Sequence, residues 1–299
     1  MSPPRSISVS VIICTRNRCE ALARTLASVK RLDISAASGF ELVVVDNAST
    51  DDTKKVVSGF ATSAPFKVVC VLERGKGLSH ARNRGLKESS GDLIMFTDDD
   101  CLVDSAWVRN AVHVFAGDAM KLVGGRIDLY NDAHLPITIK PSPTPDTLSS
   151  PGSLLGFVHG ANLALGRGVM ERIGVFDVRL GAGTDLQSAE DTEYVYRAFK
   201  HGIPVLYEPG LRVFHDHGRT GLTEEYALLR GYAVGEGAML AKHVLRGNFD
   251  LVKPLYWDVR AALRGWKADR TRWRWPLSKI GLAVGVARYL LRARLKSAE

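Results

Sequence analysis

Four apolar runs, each followed by a segment with helical spacing, constrain this 299-residue chain more than any other feature. They are SVSVIICT (8–15), ELVVVDNAS (41–49), KVVCVLE (67–73) and DLIMFTD (92–98). After the first comes CEALARTLASVKRL, which puts Leu22, Leu26 and Val29 on one face. After the second comes STDDTKKVVSGF, where Ser49 or Thr50 is expected to cap a helix with acids in its first turn. LSHARNRGLKES (78–89) and SAWVRNAVHVFA (105–116) complete the alternation. Near-continuous apolar strands separated by helices predict an α/β fold: a mostly parallel sheet with helices on both faces.

In such a sheet, ligands bind outside the carboxyl ends of the strands. Thr15-Arg16-Asn17 follows the first strand, Asp46-Asn47 the second and Asp98-Asp99-Asp100 the fourth, so these clusters should converge on one crevice. Asp46-Asn47 alone also fits a helix cap. Three adjacent acids at a buried strand's end do not, because they repel one another unless a cation sits among them. A hard divalent cation, Mg2+ or Mn2+, held partly by substrate phosphates is the physical solution. The segment ERGKGLSHARNRG brings Arg74, Lys76, Arg82 and Arg84 to the same end of the sheet. It lacks the third glycine of a dinucleotide fingerprint, and the chain has no GxxxxGK[ST] loop, which removes most support for a dehydrogenase or a P-loop kinase.

Beyond residue 130 the pattern changes. Residues 131–153 hold five of the twelve prolines and read as an irregular crossing segment. FVHGANLALGRGVMERIGVFD follows, then SAEDTEYVYRAFKHG on a helix, then short strands PVLYEP and LRVFHD. Glu190-Asp191 reads either as a reactive pair or as a solvated helix start capped by Ser188. His215 and His217 share one strand face, a spacing that permits a metal chelate or simple hydrogen bonding. His159 faces a ligand pocket or is a strand histidine satisfied by its neighbours.

Taken in order, VSVIICTRNR, LVVVDNASTD, GLSHARNRGL, GDLIMFTDDDC, GANLALGR and AEDTEYVYRAFKHG resemble family 2 glycosyltransferases over about residues 7–218. The resemblance implies a GT-A fold with a Rossmann-like nucleotide-binding half, and inverting transfer from a nucleotide sugar. It implies a catalytic domain at 1–218, with a nucleotide-sugar and metal half to about 130 and an acceptor half to 218. Thr15, Arg16, Asp46, Arg82, Asp98 and Asp99 would then contact the donor, Asp99 being the least committed. Asp100 and Asp98, with His215 or His217, would hold the metal. Asp191 would be the catalytic base and Glu190 its orienting neighbour.

Residues 219–299 carry 16 Lys+Arg against 7 Asp+Glu, whereas residues 1–218 carry 24 against 25, so the whole basic excess lies in a helix-like C-terminal region. Between Lys253 and Lys296 the cations alternate with Trp257, Trp266, Trp273, Trp275, Tyr256 and Tyr289. Such a segment suits an anionic membrane surface or nucleic acid. An enzyme with a glycan or lipid-linked acceptor favours the membrane, and nucleic acid is the weaker expectation; packing of a solvated helix on the catalytic domain is the plain alternative. A nucleotidyltransferase or metal hydrolase could use the same acids, but CTRNRCE is not the basic glycine-rich loop that a nucleotidyltransferase needs after strand one. Cys14, Cys19, Cys70 and Cys101 form no CxxC pair, and no signal peptide or spanning run is visible. The expectation is a cytoplasmic protein, peripheral on the inner face of the membrane.

Overall fold

Alternation along the central strands divides their side chains between two cores. In β1 (Ser8–Thr15), Val9, Val11 and Ile13 enter one apolar layer and Ile12 the other. In β2 (Gly39–Asp46), Leu42 and Val44 oppose Val43 and Val45. β3 (Lys67–Leu72) forms the edge, and in β4 (Leu93–Asp98) Leu93 and Met95 oppose Ile94 and Phe96. A strand apolar on both sides must be covered twice. On one face α1 (Cys19–Val29), α2 (Thr53–Ala61) and α4 (Trp107–Phe115) supply Leu22, Leu26, Val57 and Trp107. On the other, α3 (Leu78–Glu88), α5 (Arg167–Ile173) and α6 (Glu190–Lys200) supply Leu86, Val169 and Val195. Each such side chain, fully buried, contributes about 1.5–3 kcal/mol.

The computed structural model describes residues 6–253, 256 and 274–296. Within them the sheet runs β3-β2-β1-β4-β8-β6-β9-β5, with β7 paired to β9. The expected parallel pairing holds throughout β3-β2-β1-β4. Beyond it the sheet is mixed: β8 (Asn162–Gly166) is antiparallel to both β4 and β6 (Leu122–Leu129), and β5 (Cys101–Val103) is antiparallel to β9 (Val205–His215). The register Ile13↔Thr97 and Cys14↔Asp98 brings the ends of β1 and β4 side by side.

Local expectations need three corrections. PVLYEP and LRVFHD are one strand, β9, whose pairing with β6 shifts register between Gly125 and Arg126, so Pro209 and Gly210 sit in an irregularity rather than a break. The cap of α2 is Asp52, not Ser49 or Thr50; Ser49 Oγ instead accepts the N–H of Asn17, tying the loop after β2 to the loop after β1. The cap of α6 is Ala189, not Ser188. The proline-rich stretch is largely irregular, holding only the two-residue β7 (Asp146–Thr147) and a 3-10 turn at Pro151–Ser153.

The C-terminal region forms α7 (Leu222–Val244) and α8 (Arg274–Lys296), which pack on one another. Their backbones touch: a Cβ on Gly285 would lie 1.9 Å from the Val234 carbonyl oxygen, so no larger residue fits that crossing. Arg288 Nη1 donates to the Asp185 carbonyl at 2.6 Å, and Arg179 covers the Tyr289 ring at 4.9 Å. Trp257, Trp266 and Trp273 of the proposed membrane face, and the side chain of Trp275, lie outside the described residues. Among those residues no helix is long and apolar enough to cross a membrane.

Candidate active site

A cavity of about 640 Å³ opens beyond the carboxyl ends of β1 and β4. The parallel strands deliver Thr15 and Asp98–Asp100 to its floor, and α3 delivers Gly77, Leu78 and Arg82. The start of α6 brings Glu190 and Asp191, and the end of β9 brings His215. Residues separated by more than a hundred positions therefore share one space, as the strand-end argument requires.

The acids are wired unequally. Asp99 accepts from Thr15 Oγ1 at 2.8 Å and pairs with Arg18 Nη1 at 3.1 Å. Asp100 Oδ2 meets Arg18 Nη2 at 2.7 Å. Buried Arg82 donates to Glu190 Oε1 at 2.7 Å and lies 3.6 Å from Asp98 Oδ1. Glycine at 160 is what admits it, since a Cβ there would stand 2.2 Å from Arg82 Nη2. Asp191 accepts the Gly160 N–H on Oδ2 at 2.7 Å, and on Oδ1 both the Thr192 N–H at 2.7 Å and the Thr192 hydroxyl at 3.3 Å, leaving a further lone pair on Oδ2.

Among these five carboxylates the direct partners are two arginines and one histidine, while Arg16, Lys76 and Arg219 line the cavity without an ion pair to them, and the proton affinities follow that pairing. Burial pushes Asp99 up to about 7, with Arg18 opposing and Asp100 adding to the rise. Burial and then Asp191 push Glu190 up to about 7 against Arg82. Burial also raises Asp98. Asp100 goes the other way, because His215 and Arg18 outweigh the burial that would raise it.

Asp100 and His215 test whether a divalent cation fits. Asp100 Oδ1 is buried and receives no hydrogen bond; His215 Nε2 stands 3.3 Å away, within ion-pair distance but without hydrogen-bond geometry. On its other side, His215 Nδ1 lies 3.2 Å from the Thr138 carbonyl oxygen and 3.1 Å from Thr138 Oγ1. Burial would lower the His215 pKa, but Asp100 outweighs it, so Nε2 holds a proton toward the Asp100 oxygen. With Nδ1 held by the carbonyl, a cation that displaces the Nε2 proton would meet the lone pair a metal ligand needs. Cys101 is near enough to share the site, but burial raises its thiol well above the ordinary value, and a protonated thiol does not serve a hard cation. Asp100 and His215 fit such an ion.

The other expected residues spread out. His217 Nε2 donates to the Leu135 carbonyl and its Nδ1 accepts the Arg219 N–H, so both ring nitrogens are occupied by backbone and it does not line the cavity. Arg16 lines the cavity from an exposed position. Asp46 does not line it; its Oδ1 accepts the Ser49 N–H, while the next residue, Asn47, faces the cavity and ties Glu73, Gly75 and Gly77 through its amide. His159 sits in the loop before β8 and lines the cavity, and neither of its ring nitrogens has a partner among the described residues.

Three features were missed in the sequence. Arg18, not Arg16, pairs with the acidic triplet; Asn17 at φ 53° turns the chain between them, and asparagine is among the residues that tolerate that region. Gln187 and Ala189, at φ 66° and 69°, place the Glu190-Asp191 turn in a strained backbone costing roughly 1–3 kcal/mol each. That strain is held from outside: Ser188 Oγ donates to the Gly231 carbonyl at 3.0 Å, and Gly235 leaves room that a Cβ 2.2 Å from Ser188 Oγ would fill. Lastly, α7 supplies a wall of the cavity through Leu228, Tyr232 and Glu236. No motif marks those three.

Comparison with known proteins agrees with this geometry. The family model "Glycosyl transferase family 2" matches residues 10–174. Glycosyltransferase AglE of Haloferax volcanii is 30% identical over 199 residues, 65% of each chain. Pre-mycofactocin glycosyltransferase of Mycobacterium tuberculosis is 25% identical over 252 residues, 81% of this chain and 49% of that protein. The chain therefore spans less than the full length of these relatives. Among solved structures, the mannosyltransferase PcManGT of Pyrobaculum calidifontis, in complex with GDP-Man and Mn2+, superposes with a TM-score of 0.62 at 20% identity over 99% of this chain and 82% of that one. TarS of S. aureus (residues 1–349) gives 0.57 at 17% identity over 93% and 81%. These likenesses establish a GT-A fold.

Proposed function

Because the chain belongs to glycosyltransferase family 2, we propose that it moves a sugar from a nucleotide-sugar donor to a hydroxyl of a glycan or lipid-linked acceptor, with inversion, using Mn2+ or Mg2+. The observation that carries this reading is the buried Asp100 oxygen without a hydrogen bond, opposite His215 Nε2, in a carboxylate cluster directly paired with two arginines and one histidine. Residues 1–218 would carry the donor-binding and catalytic groups, with the acceptor half beginning near 131, and α7 closes the same cavity from beyond 218.

Asp100 and His215 would hold the cation, with Asp98 beside them. A bound divalent cation supplies charge stabilisation for the departing diphosphate. Arg82 and Arg16 add fixed positive charge along that path. Thr15 and Asp99 support the ribose side, and Asp46, outside the cavity beside the cavity-lining Asn47 and with Oδ1 used by Ser49, would use Oδ2 for a base N–H only where the base extends past the cavity rim. Asp191 would take the acceptor proton through the lone pair left free on Oδ2. One base and direct attack on the anomeric carbon invert its configuration. Glu190, pinned by Arg82, would fix the turn that carries Asp191.

A contact with an anionic membrane surface is a second element of the proposal. Phe249, Leu245, Ile280 and Leu291 expose about 60% of their surface in the same basic region. The catalytic assignment is tested with Asp191→Asn. Donor-induced thermal stabilisation should persist while transfer falls by about 10²–10⁴-fold. Transfer at the wild-type rate would remove Asp191 from the role.

A further inference from the structure

The family match ends at residue 174, yet part of the cavity wall comes from beyond it. Resting on the glycosyltransferase reading, we propose that α7 builds the acceptor subsite, and that the acceptor presents a pyranose ring lying against Tyr232 with its hydroxyl edge toward Asp191.

Leu228, Tyr232 and Glu236 are spaced four residues apart, which lines them along one strip of α7. All three line the cavity, as does the half-exposed Leu155 across from the helix start. Tyr232 keeps 36% of its surface open while Ala233 and Val234 beside it are buried, and its hydroxyl has no hydrogen-bond partner among the described residues. Of the charged groups around that ring, Asp191 acts on it most strongly, ahead of Arg219, Glu190 and Asp98. Tyr232 and the proposed base line the same cavity.

What shares the cavity with Tyr232 selects the ligand class. His159 and Gln187 both line the cavity, and neither side chain makes a hydrogen bond within the described residues. Burial lowers the His159 pKa, so its ring is neutral and offers one donor and one acceptor; the Gln187 amide offers both as well. An aromatic face bordered by unpaired donors and acceptors matches a ring with an apolar C–H face and a hydroxylated rim. A hydrocarbon alcohol would leave those polar groups unpaired, at a cost the pocket has no reason to accept.

The test is saturation-transfer NMR with methyl β-D-glucopyranoside, galactopyranoside, mannopyranoside and N-acetylglucosaminide, in the presence of diamagnetic Mg2+ and a nucleoside diphosphate. At least one should receive saturation on its ring C–H protons from the wild-type protein. Tyr232→Phe should retain that signal, and Tyr232→Leu should lose it at least fivefold. Absence of transfer to all four, or an undiminished signal in Tyr232→Leu, overturns the assignment. Donor-induced thermal shift is recorded on the same samples. If no nucleotide sugar stabilises the wild-type protein, the glycosyltransferase reading fails; if one does and no pyranoside is contacted, only the acceptor inference fails.

Discussion

Glu190 and Glu193 are one turn apart on α6, both buried, and their proton affinities move in opposite directions. Glu193 lies between Lys242 Nζ at 2.7 Å, Arg197 Nε at 3.0 Å and His243 Nε2 at 3.1 Å, and Lys242 also reaches Asp177 at 2.7 Å. Burial would raise Glu193, but His243, Arg197 and Lys242 overcome it and bring it down to about 2. Glu190 has one arginine, shares it with Asp98, and rises to about 7. The first acid is satisfied by the chain and fastens α6 to α7. The second belongs to a group that the chain leaves short of positive charge. A buried carboxylate with enough partners is architecture; a cluster with too few waits for a ligand that brings its own cation.

The contrast can be broken most forcefully at Lys242. Lys242→Met strips both Glu193 and Asp177 of a buried partner and should cost about 3–5 kcal/mol in denaturant unfolding, with no recovery on adding Mn2+. A loss below 1 kcal/mol would mean that the network is not structural. A smaller and more discriminating effect is the pH dependence. Glu193 has a folded pKa below its ordinary value, so its contribution is present above about 4.3 and is lost as pH falls toward 2. The stability gap between wild type and Glu193→Gln should therefore be roughly 2 kcal/mol near neutrality and close as the pH falls. Glu190, raised to about 7, has the opposite sign: its favourable protonated state is present below about 4.3 and is lost as pH rises through 7. The gap between metal-free wild type and Glu190→Gln should then change in the reverse sense, and matching slopes for the two variants would erase the distinction.

The sequence made one side of this comparison legible and hid the other. Strand alternation located β1, β2 and β4, and the rule about strand ends brought Thr15, Asp98 and Asp100 to one cavity, because each sits where a strand stops, whereas Asp191, in the first turn of α6, was legible through the family resemblance. Arg18 was concealed by Arg16 two residues earlier, since which arginine turns inward depends on the left-handed turn at Asn17. The choice between His215 and His217 depended on two backbone groups, Leu135 and Arg219, whose proximity only the folded loop creates. Lys242 and Tyr232 were hidden for a broader reason. Both lie on α7, and their partners on α6 and in the Gln187–Asp191 turn are set by helix packing, which carries no fixed sequence spacing. PVLYEP and LRVFHD were read as separate strands because Pro209-Gly210 looks like a stop signal, yet a register shift absorbs both residues within β9.

The central claim is that the acidic cluster is completed by a divalent cation arriving with a nucleotide's diphosphate. Thermal-shift titration of UDP-, GDP- and dTDP-sugars, each with and without Mn2+, tests it directly on wild type and Asp100→Asn. The account predicts strong stabilisation by one matched donor only when Mn2+ is present, and its loss in Asp100→Asn. Equal stabilisation without metal, or an undiminished shift in Asp100→Asn, would contradict it.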